Sequence, residues 1–182
     1  VLASGTHAVS VRTLREGDPR PLVSVVVPVF RTEAYLEACL ASLLRQRFRA
    51  FEVIVVDDAS PGDVAGILAR AAGPDSRFRA VRHGENLGVA RARVTGARAA
   101  RGQYLSFVDS DDEVTDRFLE VLHDAATRQG ADLVQCALEV HEPDGTTFVV
   151  NRGGEPHGLQ DDRIAHAMLA GSMSNSLCNK LM

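Results

Sequence analysis

Three short apolar runs, at residues 22–29, 51–56 and 104–108, constrain this chain more than any other feature of its sequence. The first is dense in valine, carrying Val23, Val25, Val26, Val27 and Val29. β-Branched side chains favour strands, and the lack of apolar–polar alternation predicts strands buried on both faces. Pro28 suits the end of such a strand and not its middle. Between the runs the apolar period changes. In residues 33–46, Tyr35, Leu36, Cys39, Leu40, Leu43 and Leu44 recur at three- and four-residue spacing, which predicts a helix with Thr32 as its cap. Ser60-Pro61-Gly62-Asp63 reads as a capping box with Ser60 as cap, opening a helix that turns Val64, Ile67 and Leu68 inward and stops near Gly73-Pro74.

Further along, a strand is expected at 78–82, followed by an Ala- and Arg-rich helix entered through Asn86-Leu87-Gly88. A helix at 116–129 should bury Phe118, Leu119, Val121, Leu122 and Ala125. A strand at 133–138, a hairpin through Pro143-Asp144-Gly145 and a helix from Asp161 or Asp162 to Leu169 complete the expectation. Residues 1–20 end in the turn-rich Gly17-Asp18-Pro19-Arg20 and read as an arm or linker ahead of one domain at 21–182. Strands alternating with helices of this length imply βαβ units, hence an α/β fold with a mostly parallel sheet flanked by helices. Right-handed crossovers bring the carboxyl ends of parallel strands to one rim, where ligands bind. Asp57-Asp58 and Asp109-Ser110-Asp111-Asp112 both fall there.

Several function classes fit the composition poorly. The 24 acidic groups against 20 basic ones leave a formal charge of −4, which disfavours a nucleic-acid surface. Trp is absent and Tyr occurs twice, too few for a platform of stacked aromatics. Cys39, Cys136 and Cys178 form no CxxC pair, and buried free thiols fit a reducing, cytoplasmic compartment. No apolar run approaches the ~20 residues that span a bilayer, so membrane association would come through parts outside this chain. Neither G-x-G-x-x-G after a strand, G-x-x-x-x-G-K-[ST] nor G-x-S-x-G is present, which disfavours dinucleotide enzymes, P-loop NTPases and serine hydrolases. His83, His123, His141 and His166 lack metal-ligand spacing and read as surface or structural.

The acidic cluster is the strongest chemical signal. Asp109, Asp111, Asp112 and Glu113 repel one another unless a cation or hydrogen-bond donors compensate. The D-x-D spacing lets Asp109 and Asp111 point the same way, and oxygen ligands suit Mg²⁺ or Mn²⁺ bridging to phosphate. An acidic loop capping the helix near Asp116 is the plainer alternative. Asp57-Asp58 could accept a base N–H or bind ribose hydroxyls, or simply form the turn before Ser60. Of Arg91, Arg93, Arg98 and Arg101, one near the helix start could pair with phosphate.

In this order the motifs resemble the family 2 glycosyltransferases, from Val23 to about Met182. Val23-Ser24-Val25-Val26-Val27-Pro28-Val29-Phe30 is similar to that family's first strand, and Val55-Val56-Asp57-Asp58-Ala59-Ser60 to its nucleotide-binding turn. Asn86, Gly88, Ala92-Arg93, Gly96, Ala100, Gly102 and Tyr104 follow its third stretch, with Val94 where relatives often carry Asn. Phe107-Val108-Asp109-Ser110-Asp111-Asp112 resembles its acidic signature. The resemblance implies a Rossmann-like GT-A fold and a nucleotide site built from Pro28, Phe30, Asp57, Asp58, Arg93, Asp109 and Ser110. It implies that Asp111 coordinates Mg²⁺ or Mn²⁺ with support from Asp109. By the same resemblance Asp58 is the base or ribose contact of the acidic pair, with Asp57 close by, and Arg93 is the phosphate candidate.

The implied reaction transfers a sugar from a nucleotide sugar, with UDP favoured, to a hydroxyl of a glycan, lipid-linked or polymer acceptor with inversion. Residues 175–182 resemble the stretch before the family's acceptor-side acidic motif. The general base is therefore expected beyond Met182, and the isolated chain is expected to turn over weakly or not at all. A nucleotidyltransferase would need a glycine-rich basic loop after the first strand, which residues 30–33 do not supply. A non-catalytic nucleotide-binding or assembly module is the other alternative.

Overall fold

The first two apolar runs become β1 (Val23–Val29) and β2 (Phe51–Asp57), and every residue of both is buried. The computed structural model describes residues 20–142, 144–150 and 180–182. The remaining described elements are α1 (Glu33–Leu44), α2 (Val64–Ala72), β3 (Phe78–Arg82), α3 (Val89–Ala99), β4 (Tyr104–Phe107), α4 (Phe118–Gln129), β5 (Val134–Gln135), β6 (Leu138–His141), β7 (Thr147–Val150) and β8 (Lys180–Leu181). The main sheet runs in the order β3-β2-β1-β4-β8-β5. Its first four strands are parallel, and β8 pairs antiparallel with both β4 and β5. The α/β, mostly parallel architecture is as expected.

Burial of β1 on both faces has a simple cause. Val23, Val25, Val27 and Val29 join Leu36, Leu40 and Leu43 of α1, Val64 and Ile67 of α2, and Leu119 and Leu122 of α4 in one core. Val26 faces the other way and packs with Ile54, Val56, Phe107 and Ala92 of α3. Close packing of α3 requires small residues: a Cβ on Gly96 would lie 2.2 Å from Val26 Cγ1.

Chain order also opens a crevice. Sheet order reverses at β1, with β2 on one side and β4 on the other, and such switch points hold ligands at strand carboxyl ends. The β1–β2 ladder continues to Val29 and Asp57, whereas the β1–β4 ladder ends at Val26 and Phe107. Val26 turns its carbonyl to β4, accepting from the Val108 amide at 3.1 Å. Pro28, two residues on, turns the same edge to β4 with no N–H to offer, so the two strands part there.

Several local expectations give way. Thr32 stands at the N-cap of α1 but makes no capping bond. Its hydroxyl instead meets Ser110 Oγ at 2.7 Å. Asp63, not Ser60, caps α2, accepting from the Gly66 amide at 2.8 Å. Ser60 belongs to the preceding turn, where its amide donates to Asp57 Oδ1 and its hydroxyl to the Val29 carbonyl. The strand expected at 133–138 is two: β5 in the main sheet, and β6 paired with β7 across the expected hairpin. Tyr35 and Val121, placed on packing stripes, are 59% and 47% exposed. They sit at the edges of their stripes, where period alone does not decide burial. Helix α1 stops at Leu44 and α4 starts at Phe118, two residues inside each expected bound. The arm at 1–19, the helix at 161–169 and Cys178 lie outside the described residues.

Gln46 links the end of α1 to the start of α4. It is fully buried, donates to the Ser42 and Thr115 carbonyls and accepts from the Leu119 amide. Arg117, at the N-cap of α4, makes no side-chain capping bond, so Gln46 does that work from a distance. Gln46→Ala orphans buried backbone groups and is expected to cost about 2–3 kcal/mol, read by urea denaturation. An unchanged midpoint would mean that water replaces the amide without loss.

Candidate functional site

The crevice between β1 and β4 forms a cavity of about 470 Å³ lined by Pro28, Val29, Phe30, Thr32, Asp58, Asn86, Gly88, Val89, Ala92, Arg93, Asp109, Ser110 and Asp111. The ends of β1, β2 and β4 and the start of α3 therefore converge on one space. Two non-glycine residues on this rim, Arg31 and Ala59, have positive φ, of 58° and 59°. Such strain costs on the order of 1–3 kcal/mol and gathers where a backbone must present ligand groups.

The acidic pair after β2 divides its work. Asp57 closes the turn: Oδ1 accepts from the Ser60 amide at 2.8 Å, and Oδ2 pairs with Arg82. Its carboxylate does not line the cavity. Asp58 does, though it is only 2% exposed. Its Oδ1 meets His83 Nδ1 at 2.6 Å and the Leu87 amide at 2.9 Å, and its Oδ2 accepts from the Gly88 amide at 2.8 Å. Burial alone would raise the Asp58 carboxyl. Donation from the Leu87 amide, His83 and the Gly88 amide outweighs burial and holds it below the ordinary 3.8. A folded-state pKa below the unfolded one adds stability at neutral pH, and that contribution is lost as pH falls through the folded value. Asp58→Asn should therefore flatten the acid-side fall of unfolding free energy below pH about 4, measured by urea titrations across pH. A variant with the wild-type acid slope would contradict this.

After β4 the chain turns, the Asp112 amide donating to the Asp109 carbonyl at 3.0 Å. Ser110, 3% exposed, is fixed by Thr32. Asp109 Oδ1 accepts from Arg93 Nη2 at 2.6 Å, while Arg93 Nε is buried without a partner. The Arg93 guanidinium lies over the Phe107 ring, 6.0 Å from its centroid. Arg91 and Arg98 are exposed on α3 and line no part of the cavity. Asp111 is exposed on the cavity rim. Glu113 turns away to Arg45 at 3.5 Å. Beneath the cluster, burial first and then Asp112, Asp111, Asp109 and Glu113 push the Cys39 thiol up to about 12, so it stays protonated.

No group of three or more His, Cys, Asp or Glu side chains among the described residues encloses a metal. Magnesium and manganese do not need one. They are commonly held by one or two carboxylates with phosphate and water completing the shell. Asp109 and Asp111 line the same cavity as oxygen donors, so the residues fit such an ion.

His83 and Thr95 escaped the motif reading. His83 follows β3 directly and is buried, with its Nε2 2.9 Å from Thr95 Oγ1 on α3. A histidine immediately after a strand, one βα unit from an acidic pair, is the available signal.

These features define an α/β domain with a ligand crevice whose acidic groups stand at the ends of β2 and β4. The model of Glycosyl transferase family 2 matches residues 24–180, and the chain belongs to that family. It is 39% identical over 129 residues to the uncharacterized glycosyltransferase EpsJ of Bacillus subtilis, covering 71% of this chain and 37% of EpsJ. Among solved structures, S. aureus TarS 1-349 in complex with UDP-GlcNAc matches with a TM-score of 0.57 and 29% identity, covering 61% of this chain and 32% of that one. The mannosyltransferase PcManGT from Pyrobaculum calidifontis, in complex with GDP-Man and Mn²⁺, matches with a TM-score of 0.60 and 27% identity, covering 70% and 37%. The fold is the GT-A arrangement of these enzymes. The chain thus spans about a third of the length of these relatives. Among the described residues no helix is long and apolar enough to cross a membrane.

Proposed function

We propose that this chain forms the donor-binding part of a metal-dependent glycosyltransferase that takes a UDP-sugar and transfers the sugar, with inversion, to an acceptor hydroxyl. The observation that carries the proposal is convergence: Asp58, Arg93, Asp109 and Asp111, from three separate βα units, line one cavity at the sheet's switch point. Family membership leaves the nucleotidyltransferase reading without support.

In this reading Asp58 receives the base, and Phe30 and Pro28 form the apolar wall beside it. Asp109 and Ser110 face the ribose and diphosphate side, and Asp109 and Asp111 hold Mg²⁺ or Mn²⁺. When bound, that ion acts as a Lewis acid that stabilises negative charge on the departing diphosphate. Arg93 adds a fixed cation at the same place, its fork already oriented by Asp109. The acceptor's proton goes to a carboxylate outside the described residues. The acceptor is a glycan, lipid-linked or polymer hydroxyl.

Calorimetry with UDP, in Mn²⁺ and again in EDTA, tests the reading. Binding is expected in manganese and is expected to disappear with the chelator. Equal affinity in both would remove the metal from the proposal.

A further inference from the structure

We infer that His83 is a positioning residue that fills one oxygen of Asp58, so that the cavity accepts a base presenting a single ring N–H, uracil, in preference to guanine. The inference rests on the donor reading above and deepens it. A carboxylate has about four acceptor positions. Three on Asp58 are taken: His83 and the Leu87 amide on Oδ1, and the Gly88 amide on Oδ2. What remains is one position on Oδ2. Uracil offers one ring N–H flanked by two carbonyls and matches a single acceptor. Guanine offers two adjacent donors, which a carboxylate meets well only with both oxygens free.

His83 holds this arrangement because its ring is held at both ends. Asp58 accepts, so Nδ1 carries the proton towards it. In the neutral ring Nε2 then accepts from the Thr95 hydroxyl. The side chains of His83 and Asp58 are 4% and 2% exposed, leaving little room for either to turn. Thr95 fixes the far end of the ring to α3, the helix that also carries Arg93. The base contact and the phosphate contact are in this way set against one rigid element.

Calorimetry with UDP and GDP in Mn²⁺, on wild type, His83→Asn and His83→Gln, tests this. The Asn amide nitrogen reaches where Nδ1 stands and keeps the bond to Asp58, whereas the longer Gln amide reaches towards Thr95 and frees one position on Oδ1, which keeps the Leu87 amide on the other. Wild type is expected to prefer UDP over GDP by at least about tenfold, with His83→Asn within about threefold of it. His83→Gln is expected to weaken UDP by about tenfold and narrow the UDP-to-GDP ratio, with affinity for Mn²⁺-pyrophosphate unchanged. If His83→Gln does not fold, Thr95→Val takes its place, with an expected loss of about threefold for UDP and none for pyrophosphate. Equal UDP and GDP affinity in wild type, or a folded His83→Gln with wild-type selectivity, overturns the inference; the first also removes the preference for UDP from the donor reading, and both leave nucleotide-sugar binding at this cavity standing. A His83→Asn as weak as His83→Gln also overturns the inference. Failure of wild type to bind either nucleotide overturns both.

Discussion

Asp111→Ala is expected to weaken UDP binding in manganese by about a hundredfold while leaving the fold intact. The size follows from how few side chains are available to the ion: only Asp109 and Asp111 of the acidic cluster line the cavity, and Asp109 already shares one oxygen with Arg93. Loss of Asp111 leaves half of one carboxylate. The intact fold follows from exposure, because Asp111 stands on the rim and is not part of either core. The sign of a second effect separates a binding role from a structural one. Asp111 adds to a crowd of like charges with Asp109, Asp112 and Glu113, so removing it without metal should leave the unfolding midpoint equal or higher. A lower midpoint would mark Asp111 as structural. Glu113→Ala is the matched control. Its carboxylate pairs with Arg45 at 3.5 Å on the surface, and UDP affinity should stay within about twofold.

Gly102→Ala should cost about 3 kcal/mol of unfolding free energy, the largest stability loss expected from any single methyl here. An added Cβ would lie 2.6 Å from the Ser24 amide nitrogen and 2.8 Å from the Val23 carbonyl carbon. Those atoms are the backbone of the central strand and cannot turn aside as a side chain would. The same site holds a buried polar cluster. Ser24 Oγ accepts from the Arg101 and Gly102 amides and donates to Glu52 at 2.8 Å, and Glu52 also pairs with Arg79. Shifting the α3–β4 connection strains these bonds together with the packing. Gly96→Ala meets a side chain, Val26, and should cost less because valine has some freedom to move. Chemical denaturation of the pair checks the order, and an equal or reversed ranking would refute the distinction between backbone and side-chain neighbours.

What the sequence made legible was set by local pattern. Doubly buried valine runs, helical stripes and acidic strand ends are all written within short windows, and they lead to the observed mostly parallel sheet and to acidic groups at the carboxyl ends of β2 and β4. Capping was harder. Ser60 and Asp63 are both good caps by type, and the choice fell to Asp63 because the β2 turn engages Ser60 first. The same competition took Thr32, whose hydroxyl is drawn to Ser110 across 78 positions of sequence. Local pattern merges β5 and β6 into one strand, because the pairing of β5 with β8 lies in no local window. Asp57 and Asp58 are equivalent by residue type, the family resemblance favours Asp58, and the fold gives the physical reason by separating a turn-forming carboxylate from one facing the cavity. His83 stayed mute for the related reason that both its partners, Asp58 and Thr95, come from other elements.

The insertion of β8 between β4 and β5 carries a consequence for the order of assembly. Among the described residues, the cavity-lining side chains fall between Pro28 and Asp111, in the stretch whose four parallel strands join successive βα units. Pairing of Ser106 with Leu181 instead closes a long loop, and non-local contacts of this kind form slowly. During synthesis these cavity-lining residues therefore leave the ribosome well before the strand that ties β4 to β5. On the proposed donor reading, a nucleotide that engages these residues would stabilise the early half while the rest of the sheet is still being made.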